Sequence, residues 1–420
     1  MAAERTVRAL FAGGVLLGLT AEQVVLFSVP LLIYQETGNV STLGVAYAVE
    51  WLPCLLAYAF AGVLADRDGG PRLFLRANTG RALVLACAVA LCLARPSWTT
   101  AVLMVNGALL ATLVAPVRMA IEKVVPLLAK GDDLAKTQAL VQNTELLAQA
   151  LGPGLAMGAV VVLGKLWLLG LAAAMFAVAA LCWLPLPRPA REPAPAAADG
   201  ATGTARATLA ELALGWRLLA GNRPVMLLAC VNFSINLVFA TVLGANAAVV
   251  TGVLKAPESS FALLNMCVGV AGFLNLMLTP LLLKRFDVRF VGALGFSVLC
   301  AALLVLGLAP TFGVYGTAFV LGMCGVAYFN IYNRTQRVRV IPKEHLGKVM
   351  GPFFLLNLLS FPIGGLLISA FGASLGPQRL VALLALLLTA FGAVLLPLTM
   401  RSFRTALAAR ESTPPVPVEA

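Results

Sequence analysis

Three carboxylates stand inside stretches of sequence that are otherwise apolar: Glu22, Glu50 and Glu145. An ionised acid at the centre of a lipid-spanning helix costs about 3 kcal/mol on insertion scales, so three of them are expected to face an internal cavity. Desolvation favours the neutral form of a carboxyl, which brings proton uptake and release within reach of working pH. Such a group takes a proton from one side and gives it up to the other when the cavity changes its access. The competing chemistry is a static ion pair, for which Arg81, within the third apolar run, is the candidate cation. Glu22 and Glu145 are preferred over Glu50 as proton carriers.

The residues around these acids set the rest of the candidate site. Gln138, Gln142, Glu145, Gln149 and Gly152 follow spacings of four, three, four and three, which is one continuous face at 3.6 residues per turn. That stripe is read as cavity-lining, with interhelical bonding by the glutamines as its alternative. Gln23 adjoins Glu22, and Tyr47 shares a face with Glu50 as a hydrogen-bond candidate. Asn106 is the polar residue in the fourth apolar run. The second half of the chain has no acid within its expected spans and offers amides instead: Asn232, Asn236, Asn246, Asn265, Asn275, Asn330, Asn333 and Asn357. Amides either join helices or contact a substrate, and both readings stay open. Arg334, Arg337 and Arg339 are read as loop charge or a gate contact rather than an anion site. A single histidine, His345, and eight scattered cysteines without a CxxC pair leave no metal site or cofactor to expect. Without HExxH or GxSxG, an enzyme is not expected either.

Elements able to hold buried charge must themselves lie in lipid. The chain has 420 residues, 60% of them hydrophobic and only 11% charged, with a mean hydropathy of +0.94. A soluble domain carries roughly 25% charged residues, so neither a soluble nor a disordered protein fits. Runs of about 20 apolar residues, the length of a spanning helix, occur at 10–33, 43–64, 73–94, 101–121, 138–163, 166–185, 225–247, 260–283, 290–309, 312–331, 349–371 and 379–400. Twelve spans put both termini on one side. Loops assigned to that side hold 25 of the 30 Lys and Arg residues, against 4 on the other. That bias predicts cytoplasmic termini and accounts for most of the net charge of +12, so no nucleic acid partner is expected.

The expected division is an N-terminal six-helix bundle (1–187), a Pro/Ala-rich cytoplasmic linker with an interfacial helix (188–222), a C-terminal six-helix bundle (223–404) and a disordered tail (405–420). Asp133-Leu-Ala-Lys136 recurs as His345-Leu-Gly-Lys348 at an offset that also carries Gly152 onto Gly364, as in a duplicated unit.

Gly62 to Arg72, GVLADRDGGPR, resembles the signature between the second and third helices of the major facilitator superfamily, with Gly62, Asp66, Arg67 and Gly69 in place and Arg72 one position late. Pro116-Val-Arg118-Met-Ala120 and the segment from His345 to Gly365 resemble its exporter branch, which includes macrolide efflux pumps and the enterobactin exporter. Gly152-Pro153 is similar to that branch's antiporter motif. The resemblance implies an all-α membrane protein of twelve helices in two pseudo-symmetric bundles. It further implies a proton-coupled exporter of an amphiphilic small molecule, such as a drug or a siderophore, working by alternating access as a monomer in a bacterial inner membrane. Uptake by a symporter or facilitator of the same fold is the alternative, and a polytopic enzyme or a transporter-like sensor stands behind both.

Overall fold

The computed structural model describes residues 2–68, 70–128, 132–186, 213–342 and 345–411. Among these residues there is no β-strand. The first half comprises α1 (Ala2–Thr37), α2 (Val40–Asp68), α3 (Gly70–Ala94), α4 (Thr99–Thr112), α5 (Val114–Leu128), α6 (Asp132–Leu163) and α7 (Trp167–Cys182). A short helix α8 over 213–221 leads to the second half. That half comprises α9 (Arg223–Ala247), α10 (Glu258–Arg285), α11 (Val288–Gly307), α12 (Phe312–Val340), α13 (Leu346–Leu358), α14 (Ser360–Leu375) and α15 (Pro377–Glu411). Eleven helical stretches among the described residues are long and apolar enough to cross a membrane, and α7 is a shorter apolar helix. Every expected run falls on one of these twelve stretches.

Prolines explain where the helices depart from the expected runs. The fourth run is two helices, because Pro116 has no N–H to offer the carbonyl of Thr112 and the chain breaks at Leu113. The eleventh breaks at Leu359, where Pro362 leaves the carbonyl of Leu358 unbonded in the same way. The sixth is shorter than expected: Gly164, at φ +80°, ends α6, and α7 stops before Pro185. The last helix continues to Glu411, so the start of the expected tail at 405 is helical. Of the linker, 188–212 lies outside the described residues, as does 187 before it; Asn222 caps α9 by accepting from the Val225 amide at 3.3 Å.

The end of the bundle where α1 begins is called the near face, and the end where it finishes the far face. At the near face Trp183, fully buried, stacks on Phe74 of α3 at 3.7 Å between ring centroids and donates to the Phe11 carbonyl of α1 at 3.3 Å. This aromatic pin fixes α1 against α3 and so sets the relative height of Glu22 and Arg81.

The halves meet along two seams of small residues. Gly44 of α2 faces Gly365 and Ser369 of α14, and a Cβ on Gly44 would lie 2.6 Å from the Gly365 carbonyl oxygen. Gly269 of α10 faces Ala150 of α6 at 2.6 Å in the same sense. In lipid such backbone approach supplies the packing energy that the hydrophobic effect does not. Gly152 and Gly364, related by the sequence repeat, make equivalent contacts: Gly152 of α6 packs on Gln23 of α1, and Gly364 of α14 on Ala240 and Thr241 of α9.

Gly269→Ala is expected to force the α6–α10 seam apart and cost about 1–3 kcal/mol. The measurement is thermal unfolding in detergent followed by a thiol-reactive dye, which reports exposure of the buried Cys54, Cys92 and Cys300. Gly13→Ala, where nothing lies within 4 Å of the added methyl, is expected to leave the midpoint unchanged or higher.

Candidate functional site

Arg81, on the inward face of α3 between Ala77 and Leu85, is 1% exposed. Burial of a guanidinium requires a counter-charge. Its Nη2 lies 3.1 Å from Glu22 Oε2, and its guanidinium sits 5.1 Å from the Phe176 ring centroid of α7. Arg118, one turn beyond the break between α4 and α5, reaches Glu22 Oε1 at 3.5 Å through Nη2. Its Nη1 donates to Glu145 Oε1 on α6. One network therefore joins α1, α3, α5 and α6, and two of the three acids singled out from the sequence belong to it. The static pairing held open for Arg81 is present, at Glu22.

Glu50 is arranged differently. Among the described residues no cation and no hydrogen-bond donor contacts its carboxyl; the expected bond from Tyr47 is absent, since the Tyr47 ring turns toward Trp51, 6.2 Å away. Glu50 instead lines two cavities. The central one, about 280 Å³, lies between the halves and is walled by Tyr47, Trp51, Met104, Phe261 and Phe319, with Gln23, Gln149, Asn246 and Asn265 as its neutral polar groups. The second, about 210 Å³, lies wholly within the first half and carries Glu22, Arg81, Arg118 and Cys54. Leu26, Val29, Pro30, Glu50, Trp51 and Gly107 are common to both walls.

Toward the near face a wider cavity of about 800 Å³ opens between the halves, lined by Arg118, Glu122 and Glu145 on one side and by asparagines with Arg334 and Arg337 on the other. There Asn333 donates to Asn232 at 2.9 Å, Asn232 to Asn357 at 2.7 Å, and Asn236 to Asn357 at 3.5 Å. These amides thus bond α12, α9 and α13 together and also face the cavity. Asn265 lines the central cavity while donating to its own helix at the Phe261 carbonyl, 2.8 Å. Arg337 is a packing residue: it donates to the Asn333 carbonyl at 3.2 Å and lies 4.2 Å from the Phe353 ring centroid.

Other sequence-derived candidates fall elsewhere. The stripe on α6 is not one cavity face: Gln142 is exposed, Glu145 is ion-paired and Gln149 lines the central cavity, while Gly152 is buried against α1, with Pro153 buried beside it. A helix 32 residues long passes several neighbours, so one face meets open surface, arginine and cavity in turn. Asn106 is 2% exposed with both amide atoms unpartnered, and it lines none of the three cavities. Arg72 is half-buried in the first turn of α3, where Gly70 would place a Cβ 2.7 Å from the Ala120 carbonyl of α5. That approach accounts for glycine where the resembled signature has a basic residue. The side chains at Gly62, Asp66, Arg67 and Gln138, and the whole of Gly69, lie outside the described residues.

Sequence reasoning missed a polar latch at the far face. Lys165, between α6 and α7, donates to Glu258 of α10 at 2.8 Å and to Gln35 of α1 at 2.9 Å, and Gln35 also donates to Glu258. The available signal was that Lys165 is one of only four cations assigned to that side.

A sequence profile described as Major Facilitator Superfamily matches residues 11–365, and the chain belongs to that superfamily. No curated protein sequence matches it. Among solved structures it is similar to the nucleoside transporter NupG, in a single-residue variant of that protein, at TM-score 0.73 and 14% identity, over 94% of this chain and 100% of that one. A POT family transporter in complex with a thioalcohol-conjugated peptide matches at 0.72 and 12%, over 94% and 96%. A D-xylose–proton symporter matches at 0.69 and 14%, over 92% and 97%. At these identities the likeness is one of fold.

Arg81→Leu leaves Glu22 with one guanidinium in place of two and is expected to cost about 3 kcal/mol or more. The double variant Arg81→Leu/Glu22→Leu is expected to recover most of that loss, because no buried charge is then stranded. Unfolding midpoints of the three proteins check the coupling.

Proposed function

We propose that this chain is a proton-coupled secondary transporter that exports an amphiphilic organic cation by alternating access, with Glu50 as the acid that exchanges charge. The observation that carries the reading is the contrast among the three acids. Glu22 and Glu145 are held by Arg81 and Arg118, whereas Glu50 has no cation and lines the cavity between the halves. The order of preference drawn from sequence is thereby reversed. A carboxylate on a wall that is mostly apolar and aromatic, with a few neutral amides, suits a ligand with one positive charge and an apolar body. An anionic siderophore would meet repulsion there, so a cationic, drug-like cargo is the better fit.

Proton coupling is compatible with this fold, since one structural neighbour is described as a proton symporter. The outward direction rests on the resemblance of Pro116–Ala120 and Gly152-Pro153 to exporter motifs. Two six-helix domains rocking about the central cavity, termini on the cytoplasmic side of a bacterial inner membrane and a monomeric state complete the proposal. The distribution of loop cations supports the orientation.

Proteoliposomes with an acidic lumen provide the test, using benzyltrimethylammonium as probe. Wild type is expected to accumulate it against its gradient as protons leave, and Glu50→Gln to lose at least tenfold of that uptake. Accumulation only when the bath is the acidic side would make the protein a symporter, and full coupling in Glu50→Gln would remove Glu50 from the mechanism.

A further inference from the structure

We infer that the near-face cavity is a binding site for an anion, a phosphate or carboxylate group carried on an aromatic body, and that Arg337 and Arg334 of α12 are the residues that take it. The site stands apart from the cation reading, since it occupies a different cavity and selects the opposite charge.

The first ground is a buried charge that nothing balances. Arg337 is 5% exposed, so it is not a hydrated loop cation, and burial of a guanidinium requires a counter-charge. Arg81, buried to a similar degree, has Glu22 at 3.1 Å. Arg337 pairs with no carboxylate among the described residues. Its Nε donates to the Asn333 carbonyl at 3.2 Å and its Nη1 to the Met350 sulfur at 3.7 Å, and the rest of its fork finds no acceptor among the described residues. The Phe353 and Phe354 rings, with centroids 4.2 and 5.6 Å from its Cζ, fix the guanidinium and stabilise its charge without cancelling it. Arg334 lies one turn earlier, where like charges repel, and it too pairs with no acid among the described residues. A gate contact would need an acid of the first half, and among the described residues none reaches either arginine.

The second ground is where these charges stand. Asn330, Asn333, Arg334 and Arg337 share one face of α12 by their spacing, and all four line the cavity. Of the other charged groups on its wall, Arg118 and Glu145 belong to the network that Arg81 and Glu22 complete, two guanidiniums against two carboxylates. That leaves Glu122 against Arg334 and Arg337, one positive charge in excess. A single bound carboxylate or phosphate monoanion removes the excess.

The third ground is the wall beside the arginines. Phe354 is 58% exposed, and it lines this cavity together with Phe361. A ring stacked on Phe354 would place its anionic group against the guanidinium forks, whose planar geometry matches a carboxylate or phosphate. The volume of about 800 Å³ accommodates such a molecule. The central cavity, with Glu50 on its wall, and the near-face cavity thus differ in the charge they admit.

Phenyl phosphate is the probe, titrated into purified protein in detergent at fixed ionic strength and followed by calorimetry and by the rise in unfolding midpoint that a ligand of the folded state produces. Wild type is expected to bind it saturably and more tightly than inorganic phosphate, which lacks the ring. Arg337→Gln and Arg334→Gln are each expected to lose about tenfold or more in affinity, and Arg337→Lys to retain part of it. Arg334 is exposed, so its variant decides the matter even if Arg337→Gln fails to fold. Arg339→Gln removes the same charge from the same helix outside the cavity wall and is expected to bind like wild type. Absence of saturable binding by the wild type, or an equal loss in Arg339→Gln, which would signify attraction to the net charge of +12, would overturn the site. Equal affinity for inorganic phosphate would overturn the aromatic body. In nanodiscs the affinity is expected to be the same in phosphatidylcholine and in phosphatidylglycerol; its loss in the latter would overturn a soluble ligand in favour of a lipid phosphate. Transport of benzyltrimethylammonium is a separate measurement, and its failure leaves the anion site standing.

Discussion

Charge inside a low-dielectric interior has to be matched group by group, and Arg118 does most of that matching here. It holds Glu22 of α1 and Glu145 of α6 from α5, while Arg81 adds α3 to the same network. Four helices of the first half are thereby tied at mid-depth by groups that cannot be removed singly without stranding a charge. The aromatic pin at Trp183 ties α1 and α3 again at the near face. Among the helices left outside the network is α2, which carries Glu50. It is also the helix that forms the seam with α14 through Gly44, so Glu50 stands six residues, about 9 Å along the axis, from that seam's closest approach. Trp51, beside it, touches Phe361 across the same boundary. A change of charge on Glu50 is thus felt on a helix that both borders the ion network and closes against the other half.

The two halves solve the problem of polarity in lipid in different ways. The first concentrates guanidinium and carboxylate; the second uses amides that satisfy one another, from Asn333 through Asn232 to Asn357. A neutral ladder costs little to bury and does not respond to pH, so it can join α9, α12 and α13 in any protonation state of its neighbour. Its open edge faces Arg118 and Glu145 across the near-face cavity. That space carries charge on both sides, with Arg334 and Arg337 beside the asparagines, whereas the central chamber is mostly apolar with neutral amides and Glu50 on its wall.

Much of this was legible in the sequence. Hydropathy alone placed all twelve helical stretches, because nothing but a run of apolar residues can present itself to lipid. The three acids were equally visible, since lipid would have selected against them anywhere but an interior. Their roles were not visible. Periodicity cannot say which neighbour a helix face meets, and the α6 stripe passes from the open surface to Arg118 to the central cavity within four turns. Partnering is a matter of distance between helices: Arg118 looked like one more loop cation at the end of the fourth run, and only the break imposed by Pro116 carries it inward to Glu22. The far-face latch was hidden for the same reason, as Gln35, Lys165 and Glu258 lie in three separate parts of the chain.

The contacts that close the far face are of a kind suited to being undone. Glycine seams such as Gly44 on Gly365 gain dispersion energy from close backbone approach, but lipid tails compete for the same surfaces, so each contact is worth little net. The Lys165–Glu258–Gln35 latch is exposed, where an ion pair contributes about 0–1 kcal/mol. A closed state built from such terms lies within a few kcal/mol of an open one. Differential binding of a proton or a cation is then enough to decide between them, because a ligand shifts an equilibrium only by its difference in affinity for the two states. Had the seams been sealed by buried ion pairs like those around Arg118, no single charge exchanged at Glu50 would have sufficed to part them.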